Sequence, residues 1–408
     1  MINFNNDNIE EYAFSFIKNI VNNFGGRAPG SKKEEAAAKV IEEELRKFCD
    51  ETSIEYFEFH SGAFLGFIPL VLVFYLLSIS LFKIIPIISF IFAITGFIIL
   101  FQEFFRYREF IDPLFPKRSS QNVIGKMKAE DQLDKIIIVS GHHDSAYEFR
   151  LLRISPILYL ISVVGSILSA YLLVILNILW AVRESIKVFA SVPNILNIFD
   201  IVINYIWLYL VITIPIILPM FFFKSDEAVP GAVDNLSAVG VMLSVAKTLS
   251  ENPDLKPKNT EVWFVSFGSE EEGLRGSRRF IAEHLDELKS VETYVINMDM
   301  IAKPEALSIL IREKTTGTTH SMKLAEKLRD VAKKIGIDLK LIDMPFFGGG
   351  TDATSFSRAK IDAVTLSTLE YSFEILNYYH TRRDLPDKIN SKALKIAHDI
   401  VVEFIKEV

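Results

Sequence analysis

Five short segments of the chain carry residue types that bind divalent metals. They are Gly141-His142-His143-Asp144-Ser145, Gly231-Ala232-Val233-Asp234-Asn235, Ser269-Glu270-Glu271-Glu272-Gly273-Leu274, Asn297-Met298-Asp299-Met300 and Tyr379-His380-Thr381. Together they offer two histidines, two aspartates and a glutamate as ligands, with a second glutamate beside the last. A metal lowers the pKa of a coordinated water towards ~7, and a free carboxylate can shuttle its proton. The set therefore points to metal-assisted hydrolysis.

Each segment is ambiguous alone. His142 and Asp144 are two apart, so on extended backbone they share a face, and Asp144 can hold the imidazole while its other nitrogen binds metal. His143 points elsewhere and is left out. Asp234 precedes a helix starting near Ser237, where a carboxylate is commonly a cap, yet its two oxygens can also bridge two metals. Glu270 and Glu271 follow an apolar strand and diverge, so one can ligate while the other stands over the water. Asp299 ends the strand Tyr294 to Met298, where open α/β sheets place ligand groups. His380 is a loop histidine, and His60, His284, His320 and His398 read as ordinary surface or core histidines.

The elements that must position these groups follow from periodicity. Strands are expected at 53–59, 121–127, 135–140, 260–267, 293–299, 306–311 and 362–368. Helices are expected at 31–49, 237–250, 276–289, 318–335 and 391–407. The alternation predicts an α/β domain with a mostly parallel mixed sheet and helices on both faces.

Composition adds a second feature. Only 23% of residues are charged, and the mean hydropathy is +0.29. The excess is local: residues 64–82, 84–102, 154–182 and 201–223 carry no charge. Each is long enough for a bilayer-spanning helix, which needs about 20 apolar residues. Two transmembrane hairpins, 64–101 and 154–223, are thus expected to interrupt one domain made of 1–63, 102–153 and 224–408. The first 63 residues show no signal-peptide pattern. Arg106, Arg108, Lys117, Arg118, Arg150, Arg153 and Lys224 lie on one side of the spans, and only Lys83, Arg183 and Lys187 on the other. By the positive-inside rule, the domain and both termini are expected in the cytoplasm. The single cysteine, Cys49, suits a reducing compartment and excludes an internal disulfide. A net charge of −7 gives no reason to expect nucleic acid.

In order and flanking residues the segments resemble the zinc aminopeptidases of metallopeptidase family twenty-eight. The matching stretches are GHHDS at 141–145, PGAVDNLSAVG at 230–240, EEEGLRGS at 270–277, NMDM at 297–300 and YYHTRRDLPDKI at 378–389. GGRAPGS at 25–31 and GGGTDATSF at 348–356 support them. The resemblance implies the zinc exopeptidase fold and two Zn2+ ions bridged by Asp234. His142 and Asp299 would complete one zinc site, and Glu271 and His380 the other. It also implies Glu270 as general base, Asp144 as the partner of His142, a cis peptide bond at Asp234-Asn235, and aminopeptidase action on peptides through a water activated between the metals. Unlike most relatives, this chain carries membrane insertions, the second beginning 12 residues beyond His142. That suggests amphiphilic or membrane-associated peptide substrates and the lipid bilayer as a partner, the oligomeric state staying open. The loop 345–356, with Phe346, Phe347 and Asp352, is expected to shape the specificity pocket. Two alternatives are a single-zinc glutaminyl-cyclase-like acyltransferase and a non-catalytic receptor or scaffold on the same fold.

Overall fold

A computed structural model describes residues 8–189, 192–369 and 374–408. The first seven residues of the expected 1–63 segment lie outside that range. The chain forms two compact units. One comprises Met1–Ser61, Pro116–Glu148 and Asp226–Val408, and the other Gly62–Phe115 and Phe149–Ser225.

The strands, in chain order, are β1 (Glu51–His60), β2 (Lys117–Met127), β3 (Lys135–His142), β4 (Tyr147–Phe149), β5 (Lys224–Ala228) and β6 (Thr260–Phe267). They continue with β7 (Glu292–Asp299), β8 (Ser308–Glu313), β9 (Thr318–Thr319), β10 (Lys340–Met344) and β11 (Asp362–Ser367). A nine-stranded sheet runs β1-β2-β6-β3-β7-β11-β8-β10, with β9 beside β8, while β4 and β5 form a separate ribbon. The central strands β6, β3, β7 and β11 are mutually parallel. β1 pairs with β2, β2 with β6 and β8 with β11 antiparallel, while β10 runs parallel to β8, giving the mixed sheet that was expected.

Central position explains strand composition. The run Ile136 to Val139 in β3 and the whole of β6 are buried, because layers cover both faces of the sheet. Helix Ser237–Glu251 packs on β3 and also meets helices Ile9–Phe24 and Ser391–Glu407. That position requires an apolar surface nearly all round, and twelve of its side chains are buried.

Besides the short strands β4, β5 and β9 and the short helix Ala353–Arg358, the structure differs from expectation in three further elements. Helix Ile9–Phe24 is additional, with Asn8 capping it by accepting from Glu10 N and with Tyr12, Phe16, Ile17 and Ile20 on its buried stripe. The helix expected over 318–335 is Met322–Lys334, since the β-branched pair Thr318–Thr319 extends against β8 and Ser321 caps the helix through Leu324 N. The short edge strand β10 is also additional.

The second unit contains helices Ala63–Leu81, Pro86–Leu100, Pro156–Phe189 and Pro193–Ile217. A π-helical turn, Phe101–Phe105, prolongs the second of these. The four helical stretches have hydropathies of 2.1 to 2.4, and only 17 to 33% of their most apolar windows is buried in protein. They are long and apolar enough to cross a membrane. A fifth stretch, Ala232–Glu251, also passes on length and composition, at hydropathy 1.2, but it is 89% buried. It is a core helix of the first unit.

Candidate metal centre

The parallel strands deliver the donors to one edge of the sheet. Ser140 of β3 is level with Asn297 of β7, so His142 and Asp299, two residues further along each strand, end side by side. His142 also pairs with Phe267, the last residue of β6, and a single 3-10 turn beyond that strand carries Glu270 and Glu271. Asp234 comes from the irregular turn Ala232–Leu236 before the core helix, and its peptide bond to Asn235 is cis. His380 follows β11.

Three donor triplets have their atoms within 4.8 Å of one another: His142–Asp234–Asp299, Asp234–Glu271–His380 and His142–Glu270–Glu271. Asp234 divides its oxygens, with Oδ1 3.2 Å from His142 Nε2 and Oδ2 3.1 Å from His380 Nε2. Glu271 Oε1 lies 3.3 Å from His380 Nε2, and Glu270 Oε2 lies 3.7 Å from His142 Nε2. The two glutamates thus attend different histidines. All six side chains of these triplets that the sequence singled out come together.

Asp144 does more than hold its histidine. Its Oδ1 is 3.2 Å from His142 Nδ1, and its two oxygens accept the backbone N–H groups of Glu270 (3.1 Å) and Glu271 (3.0 Å). Other supports were not legible as site residues. Asp384 accepts from Val233 N (2.7 Å) and Asp234 N (3.1 Å). Asn235 donates to Met298 O (3.0 Å) and accepts from Met300 N (3.1 Å), tying the Asp234 turn to the end of β7. The only local signal for Asp384 was its place four residues after His380.

His143 is buried and turned away, with Nδ1 2.9 Å from Ser266 Oγ and Nε2 3.2 Å from Gln121 Nε2. His284 meets Glu55, His320 meets Glu313 and Ser357, and His398 meets Thr248 and Asp399. None of these, nor His60, joins a donor triplet among the described residues. In the loop 345–356, Phe346 is 62% exposed, whereas Asp352 is buried. Thr351 N and Oγ1 donate to Glu313 on one side of it, and Thr354 Oγ1 donates to the same carboxylate on the other.

Charge is concentrated in this space. Burial raises Glu270, Asp299 and Glu271 above the ordinary carboxylate range. Burial would raise Asp234 as well, but His142 and His380 hold it well below that range. Burial opposes a proton on His380, yet Glu271 and Asp234 lift it to about 10, and His142 is raised in the same way by Glu270, Asp144 and Asp234. Burial pushes His143 down to about 3, which keeps it neutral. Four carboxylates (Asp234, Glu270, Glu271, Asp299) around two histidines form a site that divalent cations would neutralise. Glu271 Oε1 is buried and accepts no hydrogen bond among the described residues. An oxygen left uncommitted beside His380 fits a metal ligand.

The model of peptidase family M28 matches residues 219–405, which include Asp234, Glu270, Glu271, Asp299 and His380. His142 and Asp144 lie upstream of that stretch, and the fold brings them to the same centre.

Over that stretch the chain resembles peptidase family M28.

Aminopeptidase YwaD of Bacillus subtilis is 33% identical to this chain over 181 residues, 44% of the chain and 38% of that protein. Probable lipoprotein aminopeptidase LpqL of Mycobacterium tuberculosis is 38% identical over 76 residues, 18% of the chain and 14% of that protein. The chain thus spans about two fifths or less of the length of these relatives. Among solved structures, BSAP, a zinc aminopeptidase from Bacillus subtilis, is similar with a TM-score of 0.55 at 18% identity. That similarity covers 98% of this chain and 94% of the other. A glutaminyl cyclase from Bacteroides thetaiotaomicron also has a TM-score of 0.55, at 14% identity, covering 98% of each chain. These structures share the fold of this chain.

Proposed function

We propose that this chain is a membrane-anchored di-zinc aminopeptidase. The observation that carries the reading is the division of Asp234, one oxygen toward His142 and the other toward His380. His142, Asp234 and Asp299 would hold one zinc, and Asp234, Glu271 and His380 the other. When bound, the two ions supply Lewis acidity for the scissile carbonyl and for the attacking water.

The protein's own groups supply the rest. Asp144 fixes the His142 ring and, through their backbone N–H groups, the directions in which Glu270 and Glu271 leave the turn. Glu270 stands on the His142 side, takes the water proton and passes it to the leaving amine. Burial favours the protonated carboxyl of Glu270, which suits a group that must return its proton. A substrate ammonium would neutralise negative charge near the metals, the basis for preferring a free amino terminus. The loop 345–356 would contribute to side-chain selection through Phe346 and Phe347.

The four apolar helices anchor the chain in a bilayer, and the basic residues flanking them orient the domain and both termini to the cytoplasm. The short sequence distance from His142 to the second insertion supports peptides that are amphiphilic or membrane-associated. A receptor or scaffold role would not require the intact Glu270–Glu271 pair.

The test is hydrolysis of an aminoacyl-amide panel by zinc-loaded protein in detergent, with Glu270→Gln alongside. The expected result is release of free amino acids at two zinc per chain. The variant should be slower by about a hundred- to ten-thousand-fold, the usual contribution of acid–base catalysis. Conversion of glutaminyl peptides to pyroglutamyl peptides with release of ammonia, at one zinc per chain and without aminoacyl-amide hydrolysis, would instead identify a cyclase. Zinc binding with turnover of neither substrate class would count against both enzymes.

A further inference from the structure

Arg27 is completely buried and, among the described residues, makes no ion pair within hydrogen-bond distance; its guanidinium donates to backbone carbonyls. Its Nε donates to His143 O (2.7 Å), Nη1 to Pro230 O (2.6 Å) and Gly25 O (2.8 Å), and Nη2 to Gly231 O (3.0 Å). His143 follows His142, and Pro230 and Gly231 open the turn that presents Asp234. One side chain thus spans the two loops that meet in the His142–Asp234–Asp299 triplet.

The backbone of Arg27 repeats the connection. Arg27 N donates to Ser145 Oγ (2.8 Å), Ser145 N donates to Arg27 O (3.0 Å), and Ser145 Oγ donates onward to Val229 O (2.8 Å). A few residues on, Glu34 accepts from Ser269 N (2.9 Å), just before Glu270. The approach is too close for side chains at two glycines. A Cβ on Gly26 would lie 2.2 Å from Ala228 O, and one on Gly231 would lie 2.9 Å from Arg27 Nη2. Only the planar fork of arginine offers donors in the directions these carbonyls require; lysine would satisfy fewer of them. Its charge also faces Asp144, Asp384, Glu34 and Asp234, which oppose the effect of burial on the guanidinium.

We infer that Arg27, with Ser145, is a positioning clamp that sets the separation of the His142 and Asp234 loops and so determines the affinity of the zinc site they share. The inference rests on the di-zinc reading. Asp384 also supports the Asp234 turn through the N–H groups of Val233 and Asp234, and Glu271 and His380 lie outside the clamped loops, so the second zinc site depends less on the clamp.

The test is chelator-competition titration of zinc on the full chain in detergent, comparing wild type, Arg27→Lys, Arg27→Gln and Ser145→Ala. Leu328→Ala, a core truncation outside every donor loop, controls for lost stability. The expected result is one zinc equivalent weakened by about 10- to 100-fold, the usual cost of losing a ligand's support. The other equivalent should be weakened clearly less, and the visible spectrum of the cobalt-substituted protein altered. Leu328→Ala should lower Tm while leaving both equivalents tight. Should an Arg27 variant fail to fold, Ser145→Ala decides, because it removes one hydroxyl from an otherwise intact clamp. Wild-type affinity for both equivalents in Ser145→Ala, or equal weakening of both in step with Tm, would overturn the clamp. A wild type that binds no zinc would overturn the centre itself.

Discussion

Asp234 meets two histidines with two different oxygens, and that arrangement depends on a carboxylate the sequence did not distinguish. Asp384 accepts the N–H groups of Val233 and Asp234. Asp384→Ala should leave both donors buried without partners, at about 1–3 kcal/mol each. The expected outcome is a lower urea midpoint and weaker zinc, with Asp384→Asn intermediate because it keeps one acceptor. The raised carboxyls of Glu270, Glu271 and Asp299 predict a pH effect as well. Without metal, the folded state holds protons that the unfolded state releases above about pH 4.5, the ordinary value for glutamate, so metal-free stability falls as pH rises through that window. Metal binding displaces those protons. The Tm difference between zinc-loaded and chelator-stripped protein should therefore grow from about pH 4.5 towards neutrality. A difference that shrinks with pH would contradict this assignment of charge. Donor identities were legible because histidine and acidic residues at strand ends are conspicuous. Which glutamate attends which histidine was not, since adjacent side chains diverge and only the His380 loop distinguishes them.

Among the elements, the strand ladders show why the insertions are tolerated. His60 pairs with Lys117 across β1 and β2, and Ser61 N donates to Pro116 O at 3.0 Å. Everything from Gly62 to Phe115 therefore occupies the place of a hairpin turn. The second insertion leaves and returns near another close pair, Val229 N donating to Ala146 O at 2.9 Å. Replacing 62–115 by Asn-Gly, the preferred two-residue hairpin connection, and 149–225 by a short glycine linker should yield a water-soluble domain that keeps its zinc stoichiometry. Loss of zinc on excision would mean that the helices help to form the centre. Fully buried strands such as 260–267 were readable from apolar runs bounded by polar turns. Helix Ile9–Phe24 carried a regular apolar stripe that went unread, and the start of Met322–Lys334 was decided by pairing of Thr318–Thr319 with β8, a contact absent from the local pattern.

For the whole molecule, the two units differ in where their apolar side chains lie. One unit buries its apolar side chains in a core, and the other presents helices with hydropathies of 2.1 to 2.4. The intact chain is expected to sediment with membranes and resist alkaline carbonate extraction. A reporter fused after Val408 should be active only in its cytoplasmic form, while a cysteine introduced beside Lys83 should react with an impermeant reagent from outside. The reverse pattern would invert the orientation drawn from the basic flanks.

By itself the sequence determined the metal-binding residue types, the α/β alternation and the four long uncharged segments, because composition and periodicity are local properties. Only the tertiary structure decided that Ala232–Glu251, apolar enough to span, is enclosed by β3 and two helices. It likewise decided that Asp384, Asn235 and Arg27 hold the centre together. Arg27 reaches His143 across 116 positions and Gly231 across 204, and such hydrogen bonds leave no spacing or period for a linear reading to detect.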